Sequence, residues 1–209
     1  MISTANAAMK AAELSQLLRK RRSLRRYHAD AVPREYIEQI LDAAVWAPSA
    51  HNRQPWRFVV ISRAETKARL AREMGAKLRS DLTADNVPQA VIDADVGRSC
   101  QRITAAPLLL LLCMSLQDMD VYGDGRRDAH ERTMAQQSAA MAGQNILLMA
   151  ASLGLGACWM CAPLFCQSLV ASVLDLPADW QPQGLITLGF PAQQRQRERD
   201  PWETRTIWR

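Results

Sequence analysis

Apolar positions along this chain follow two rhythms, and together these predict its elements. Leu14, Leu17 and Leu18 recur at helical spacing within residues 11–21, which predicts an amphipathic helix running into a basic cluster. Asp30 to Pro33 reads as a turn with Pro33 at the first position of a second helix. Ile37, Ile40, Leu41, Ala44 and Val45 form the buried stripe of that helix, and Pro48 stops it. Trp56 to Ile61 alternates less than a half-exposed strand would, so a strand buried on both faces is expected. Leu70, Met74 and Leu78 mark the inner face of a charged helix over 64–80, and the polar residues 81–87 read as a loop. A further helix is predicted over 88–104, then a central strand over the apolar run 107–113.

Residues 115–129, with Gln117, Asp118, Asp120, Gly123, Asp124 and Gly125, read as a mobile loop and candidate lid. The longest helix is expected from His130 to Leu153. Its middle, Ala139 to Met149, is apolar on more than one face, as in a helix at a domain centre or across a subunit contact. Gly154-Leu155-Gly156 ends it through a left-handed cap. A short strand (157–160), a helix after Pro163, a break at Pro177 and a strand (185–189) follow, leaving 192–209 as an arginine-rich tail carrying Trp202 and Trp208. Helices and strands mix without strict alternation or internal repeat. The class is therefore α+β, with a central sheet flanked by helices.

The connector Ala47 to Val60 stands out between the second helix and the first strand. Pro48 and Pro55 stiffen it, while Ser49, Ala50, His51, Asn52 and Gln54 are small or hydrogen-bonding, which suits close approach to a flat ligand or an ordinary loop alike. Trp46, Trp56 and Trp159 are read as core residues, and His51 as a structural hydrogen-bonder.

Composition narrows the class further. The 209 residues, 48% hydrophobic and 22% charged, fit one globular domain with a full core. No apolar run is long enough to span a bilayer, and the Arg21-Arg22 pair is followed by a polar segment where an export signal needs an apolar one, so a cytoplasmic location is expected. The net charge of +5 rests on 22 arginines against four lysines. Six of the eight residues from Arg19 to Arg26 are basic, and Arg195, Arg197 and Arg199 form a second cluster. A guanidinium fork suits phosphate oxygens, so the clusters read as a solvated face, a nucleic-acid surface or a pocket for a phosphorylated small molecule.

Five cysteines make an odd number, so no disulfide framework is expected. Cys158 and Cys161 have CxxC spacing, but His28, His51 and His130 stand singly and no second ligand pair matches. Buried, reduced thiols are the expectation, Cys161 among them, and no metal is assigned. There is no G-x-S-x-G, Walker or H-E-x-x-H motif, and Gly154-x-Gly156 ends a helix rather than starting one. With no nucleophile–base pair, the chemistry falls to a bound cofactor.

Arg21-Arg22-Ser23-Leu24-Arg25, then Trp46 to Trp56, Gln144-Asn145, Gly154-Leu-Gly156 and Leu185 to Pro191 resemble, in order and spacing, the FMN-dependent nitroreductase family. Residues 154–191 are similar to the subgroup that includes the flavin domain of deazaflavin-cofactor biosynthesis enzymes. The resemblance covers roughly residues 14–208, so residues 1–13 are expected as an N-terminal extension and 14–209 as the FMN-binding domain.

That resemblance implies a nitroreductase-like α+β fold with a central mixed β-sheet flanked by helices, and an obligate homodimer with interfacial FMN sites. It implies that Arg21, Arg22 and Ser23 grip the FMN phosphate and ribityl chain, and that Arg25 lies beside the flavin pyrimidine edge, where a cation raises the reduction potential. Pro48, Ser49, Ala50 and Asn52 fall on the segment that reaches the flavin of the partner subunit. Cys161 and Ala162 fall where backbone N–H groups meet the flavin N5; many relatives carry an acidic residue at the Cys161 position. Arg197 or Arg199 completes the phosphate site, and Arg102 is a second cation near the pyrimidine edge. The implied activity moves a hydride from NAD(P)H through FMN, with no catalytic side chain, to a nitroaromatic, quinone or activated-alkene acceptor. A dedicated biosynthetic reduction of a deazaflavin-type precursor is the alternative within the family, and a basic nucleic-acid-binding module the alternative outside it.

Overall fold

The strand β2 (Leu108–Met114), Leu-Leu-Leu-Leu-Leu-Cys-Met, is buried at every position and organises the fold. In a strand, successive side chains point to opposite faces, so an unbroken apolar run requires cover on both. The computed structural model describes residues 4–209 and supplies that cover as two helical layers. Leu108, Leu110, Leu112 and Met114 pack with Ile40 and Ala44 of α2 (Arg34–Val45) and with Ala135, Ala139, Ala142 and Ile146 of α5 (Gly125–Ser152). Leu109, Leu111 and Cys113 pack instead with Leu70 and Met74 of α3 (Ala64–Ala84), Ile103 of α4 (Gln89–Thr104) and Val170 of α6 (Gln167–Val173). The remaining helix, α1 (Thr4–Lys20), leads the chain.

The four strands run in the order β1 (Trp56–Ile61), β2, β4 (Gln181–Gly189), β3 (Gly156–Met160), and every neighbouring pair is antiparallel. The expectation of a mixed sheet is thereby corrected. Two antiparallel helices, α3 and α4, separate β1 from β2, so the chain re-enters at the end it left and pairs antiparallel. The single helix α5 sends β3 in the same direction as β2, but β4 lies between them. Parallel pairing among the described residues is limited to the bridge between Ser23 and Ala157.

Several boundaries differ from the sequence reading: α1 begins at Thr4 instead of residue 11 and β4 at Gln181 instead of residue 185. Residues 81–84 continue α3 instead of looping, since their polarity serves an exposed helix face where Lys77 Nζ donates to Asp81 Oδ2 at 2.7 Å and Thr83 Oγ1 to Arg79 O at 2.8 Å. Helix α5 starts at Gly125, capped by Asp124, whose carboxylate accepts from Arg127 N at 2.7 Å. What remains of the expected mobile loop is pinned. Met119 is buried, Ser115 Oγ donates to Asp179 Oδ2 at 2.6 Å, and Asp118 pairs with Arg57 at 3.0 Å.

Trp56 is buried as expected, but Trp46 is 77% exposed, because α2 ends at Val45 and turns its last residues away from the sheet. The apolar middle of α5 buries one side on β2, while Ala140 and Met141 remain exposed.

Candidate functional site: an arginine cup and its cleft

The basic segment after α1 cannot continue the helix toward solvent because the sheet captures it. Leu24 N donates to Ala157 O at 3.0 Å, His28 N to Phe190 O at 2.9 Å, and Ala192 N to Arg26 O at 3.0 Å. Tyr27 fastens the middle, its hydroxyl 2.5 Å from Leu24 O and 2.7 Å from Thr187 Oγ1; burial raises that phenol well above its usual range. Two glycines make the close approach possible. A methyl on Gly156 would lie 3.2 Å from both Leu24 Cβ and Tyr27 Cε1, and one on Gly189 would lie 2.7 Å from Pro107 Cδ and 3.0 Å from Tyr27 Cβ.

Held there, Arg22, Ser23 and Arg25 meet Arg195, Arg197 and Arg199 around a pocket of about 200 Å³ with no carboxylate in its lining. Arg22 braces it, with Nη1 donating to Arg21 O at 2.8 Å and Nη2 to Arg197 O at 3.2 Å. The Nε atoms of Arg22 and Arg25 are buried without a hydrogen-bond partner. An unpaired buried donor is costly, and five guanidiniums around one small volume repel. This donor set fits an oxyanion, such as the phosphate dianion of FMN.

Arg21 lies next to the cup without lining it. Its pocket of about 180 Å³ is shared with Leu17, Lys20, Leu147 and Ala151, and burial followed by the nearby Arg199 and Arg22 charges lowers its pKa. Arg25 also opens onto a cleft of about 480 Å³, walled by Leu78, Leu82, Trp159 and Met160 and reaching Cys161 and Ala162. Ala162 begins a short 3-10 turn (Ala162–Phe165), whose first N–H groups have no partner within the turn. Cys161 is exposed, contrary to its reading as a packed thiol, because β3 ends one residue earlier. Cys158 is the buried member of the pair, and burial raises its thiol pKa against the opposing pull of Arg25 and Arg102.

Pro48, Ser49, Ala50 and Asn52 line neither the cup nor the cleft of their own chain. They sit in a tight loop against α5, where Ala50 N donates to Ser138 Oγ at 3.3 Å and Gln54 N to Ser49 Oγ at 3.1 Å. His51, Asn52 and Gln54 adopt φ of 50°, 55° and 50°, a left-handed conformation that costs non-glycine residues about 1 kcal/mol or more each. His51 is exposed, and its side chain makes none of the hydrogen bonds found among the described residues. The structure thus brings together Arg22, Ser23, Arg25, Arg197 and Arg199, joins Cys161 and Ala162 to them through Arg25, and keeps the 48–52 loop apart.

Arg195 was absent from the site read in the sequence, yet it lines the cup. The alternation Arg195-x-Arg197-x-Arg199 carried the signal, since an extended chain turns every second side chain to one side. No helix among the described residues is long and apolar enough to cross a membrane, and no cluster of three metal-ligating side chains occurs among them.

Comparison with known proteins places this geometry. The family model described as the Nitroreductase family matches residues 18–190. A Thermus thermophilus protein named NADH dehydrogenase is 31% identical over 91% of this chain and 93% of its own. The 5,6-dimethylbenzimidazole synthase of Rhodospirillum rubrum is 29% identical over 92% of this chain and 90% of its own. Among solved structures, a Desulfovibrio desulfuricans protein assigned to the nitroreductases and in complex with FMN superposes with a TM-score of 0.72, at 28% identity, over 94% of this chain and 96% of that one.

Proposed function

As this chain belongs to the nitroreductase family, we propose that it is an FMN-dependent oxidoreductase that draws hydride from NAD(P)H and reduces a nitroaromatic, quinone or activated-alkene acceptor. One observation carries the reading: a carboxylate-free arginine cup opens, through Arg25, onto a cleft with one apolar wall of Leu78, Leu82, Trp159 and Met160 and one polar wall of Asp95, Arg98, Ser99 and Arg102. When bound, FMN would supply the two-electron chemistry between NAD(P)H and the acceptor. The chain supplies the setting. Arg22, Ser23, Arg197 and Arg199 hold the phosphate, with Arg21 adding field from behind. Arg25, at the mouth between cup and cleft, favours a developing negative charge on whatever ring lies in the cleft. Leu78, Leu82, Trp159 and Met160 exclude water from one wall, and the Cys161–Ala162 backbone offers N–H groups at its end.

The working form is a homodimer in which the strained loop Pro48–Asn52 reaches the flavin of the partner subunit. Exposed Val45, Trp46 and Met141 support an apolar contact between copies on the α2–α5 side. The electron acceptor packs a flat, electrophilic group against the apolar wall of Leu78, Leu82, Trp159 and Met160. Similarity to the Rhodospirillum rubrum synthase favours, as a second reading, one dedicated biosynthetic reaction; rapid bleaching of the flavin by NAD(P)H supports the general oxidoreductase over it.

The test is spectroscopic. The purified protein carries flavin absorbance, and Arg22→Ala loses it on dialysis while keeping its helical circular dichroism. A colourless protein that takes up no added FMN refutes the proposal.

A further inference from the structure

Between the cup and helix α4 lies a second basic pocket, of about 470 Å³, that the flavin reading leaves without a ligand. Arg98, Gln101 and Arg102 reach it from α4, Arg26 from the captured segment, and Gln193 and Arg195 from the chain after β4. Arg98 and Arg102 stand four residues apart, so they share one face of the helix. We infer that this pocket binds the anionic group, phosphate or carboxylate, of the compound that exchanges electrons in the cleft. The inference rests on the flavin reading of the cup and adds to it the charge class of the second substrate.

Three observations carry it. No carboxylate lines the pocket, and among the described residues Arg26, Arg102 and Arg195 have no acidic partner within ion-pair distance; only Arg98 has one, Asp95, on the cleft side. Guanidiniums gathered without carboxylates concentrate positive potential, and their planar forks with two side-chain amides offer many donors to one oxyanion. The pocket is also continuous with both neighbours. It shares Arg25 and Arg195 with the cup, and Arg25, Arg98 and Arg102 with the cleft. A molecule with its reacting ring against Trp159 and Cys161 therefore has a cationic pocket beside it. On the flavin reading the cup takes the single phosphate of FMN and Arg25 and Arg102 face its ring, which leaves Arg26, Arg98 and Gln101 without a group of the cofactor to bind.

Two sources share this chemistry, a phosphate of the nicotinamide reductant and an acid group on the acceptor, and the experiment separates them. The FMN-loaded protein and its Arg26→Gln and Arg26→Lys variants, at a residue that lines the pocket but not the cleft, are assayed with two probe sets. The reductant set compares NADPH and NADH with 1-benzyl-1,4-dihydronicotinamide, which has no phosphate. The acceptor set compares 4-nitrobenzoate with 4-nitrobenzamide. Equilibrium titration of NADP+ and of 4-nitrobenzoate, followed by the flavin spectrum, gives a dissociation constant without turnover. Arg26→Gln is expected to weaken the anionic member of one set by about tenfold or more, the loss of a charge-assisted hydrogen bond, and to leave the neutral member within about twofold. Arg26→Lys recovers part of the loss.

A loss in the reductant set identifies the anion as a nicotinamide phosphate, and a loss in the acceptor set identifies an acidic acceptor. If neither set separates anion from neutral, or if anionic and neutral members fall together, the inference is wrong. Flavin content and reduction by the neutral dihydronicotinamide report independently on the flavin reading. Their retention in a protein without anion preference overturns the second pocket alone.

Discussion

Trp159 is held between two glycines, and a single methyl group tests how tightly. A Cβ on Gly143 of α5 would lie 2.0 Å from Cζ3 and 2.9 Å from Cε3 of the indole; one on Gly184 of β4 would lie 2.5 Å from Cε2 and Cζ2 on the opposite edge. Carbon atoms in contact sit about 3.5–4.0 Å apart. The ring cannot swing away from Gly143, because Gly184 already fills the other side. Two effects of Gly143→Ala then oppose one another. Alanine in mid-helix is favoured by about 1 kcal/mol. Overpacking that must separate α5 from the sheet costs about 3 kcal/mol, the upper part of the usual range, because both neighbours of the ring are backbone. The net loss is about 2 kcal/mol, which lowers Tm by roughly 4–8 °C for a chain of this size. Melting at fixed protein concentration measures it, in a cycle with Trp159→Phe, which withdraws Cζ3 and Cη2. In the Trp159→Phe background, Gly143→Ala becomes neutral or stabilising. Equal losses in both backgrounds, or no loss in the Trp159 protein, would show that the contact is not what requires glycine.

Three further outcomes follow from single contacts. Lys67 is buried and its Nζ donates to Ala106 O at 2.6 Å and Pro107 O at 3.3 Å; Lys67→Met strands those carbonyls at the entry to β2 and lowers stability by about 1–3 kcal/mol in denaturant melts. Asp124 has its pKa lowered, chiefly by the Arg127 backbone N–H and then by the Arg127 side chain. Its stabilisation is therefore full above the unfolded-state value of 3.8 and fades as pH falls through the lowered folded-state value, so the Tm gap between wild type and Asp124→Ala closes below pH 3.8. Asp118→Asn with Asp120→Asn removes the ion pairs to Arg57 and Arg53; because such exposed pairs contribute about 1 kcal/mol or less each, Tm barely moves while limited proteolysis within 115–124 accelerates.

Much of the fold was legible because its signals are local and redundant. The run Leu108 to Met114 could only be a strand covered on both faces, and the stripe Ile37, Ile40, Leu41 and Ala44 could only be one side of a helix. Strand direction was not legible, since the number of helices between strands does not say to which end of the sheet each connection returns, nor that β4 inserts between β2 and β3. The start of α5 was missed because Asp124, Gly125 and Asp128 look like a loop until the cap is seen. Trp46 was misread because an exposed tryptophan and a buried one look alike in sequence; only the end of α2 distinguishes them. At the site, the arginines of the captured segment were legible as a cluster, but their meeting with Arg195 depends on Gly156, Gly189 and Tyr27, which announce nothing by themselves. Arg98 and Arg102 were spaced for one helix face, yet nothing local said which face looked onto the cleft.

The charge pairing across the surface argues that the cup is built for an anion. Nine ion pairs occur among the described residues, including Arg34–Glu38, Arg79–Asp93 and Arg127–Asp124, so this chain partners many of its surface cations. None of the nine involves residues 19–26 or 195–199, where basic side chains are densest. A solvated face would place its charges far apart or pair them with acids, because both lower the repulsion at no structural cost; Glu198, the acid between Arg197 and Arg199, makes none of the nine pairs. Here one bond, Leu24 N to Ala157 O, fastens the first segment to β3, and another, Ala192 N to Arg26 O, ties the chain that leads to the second segment onto it, against that repulsion. Two guanidinium Nε atoms are also buried without a partner. The sheet thus holds in place an arrangement that electrostatics alone would disperse. Such preorganisation has a use when a phosphate completes it, and the same reasoning extends along Arg195 and Arg25 to the pocket under α4.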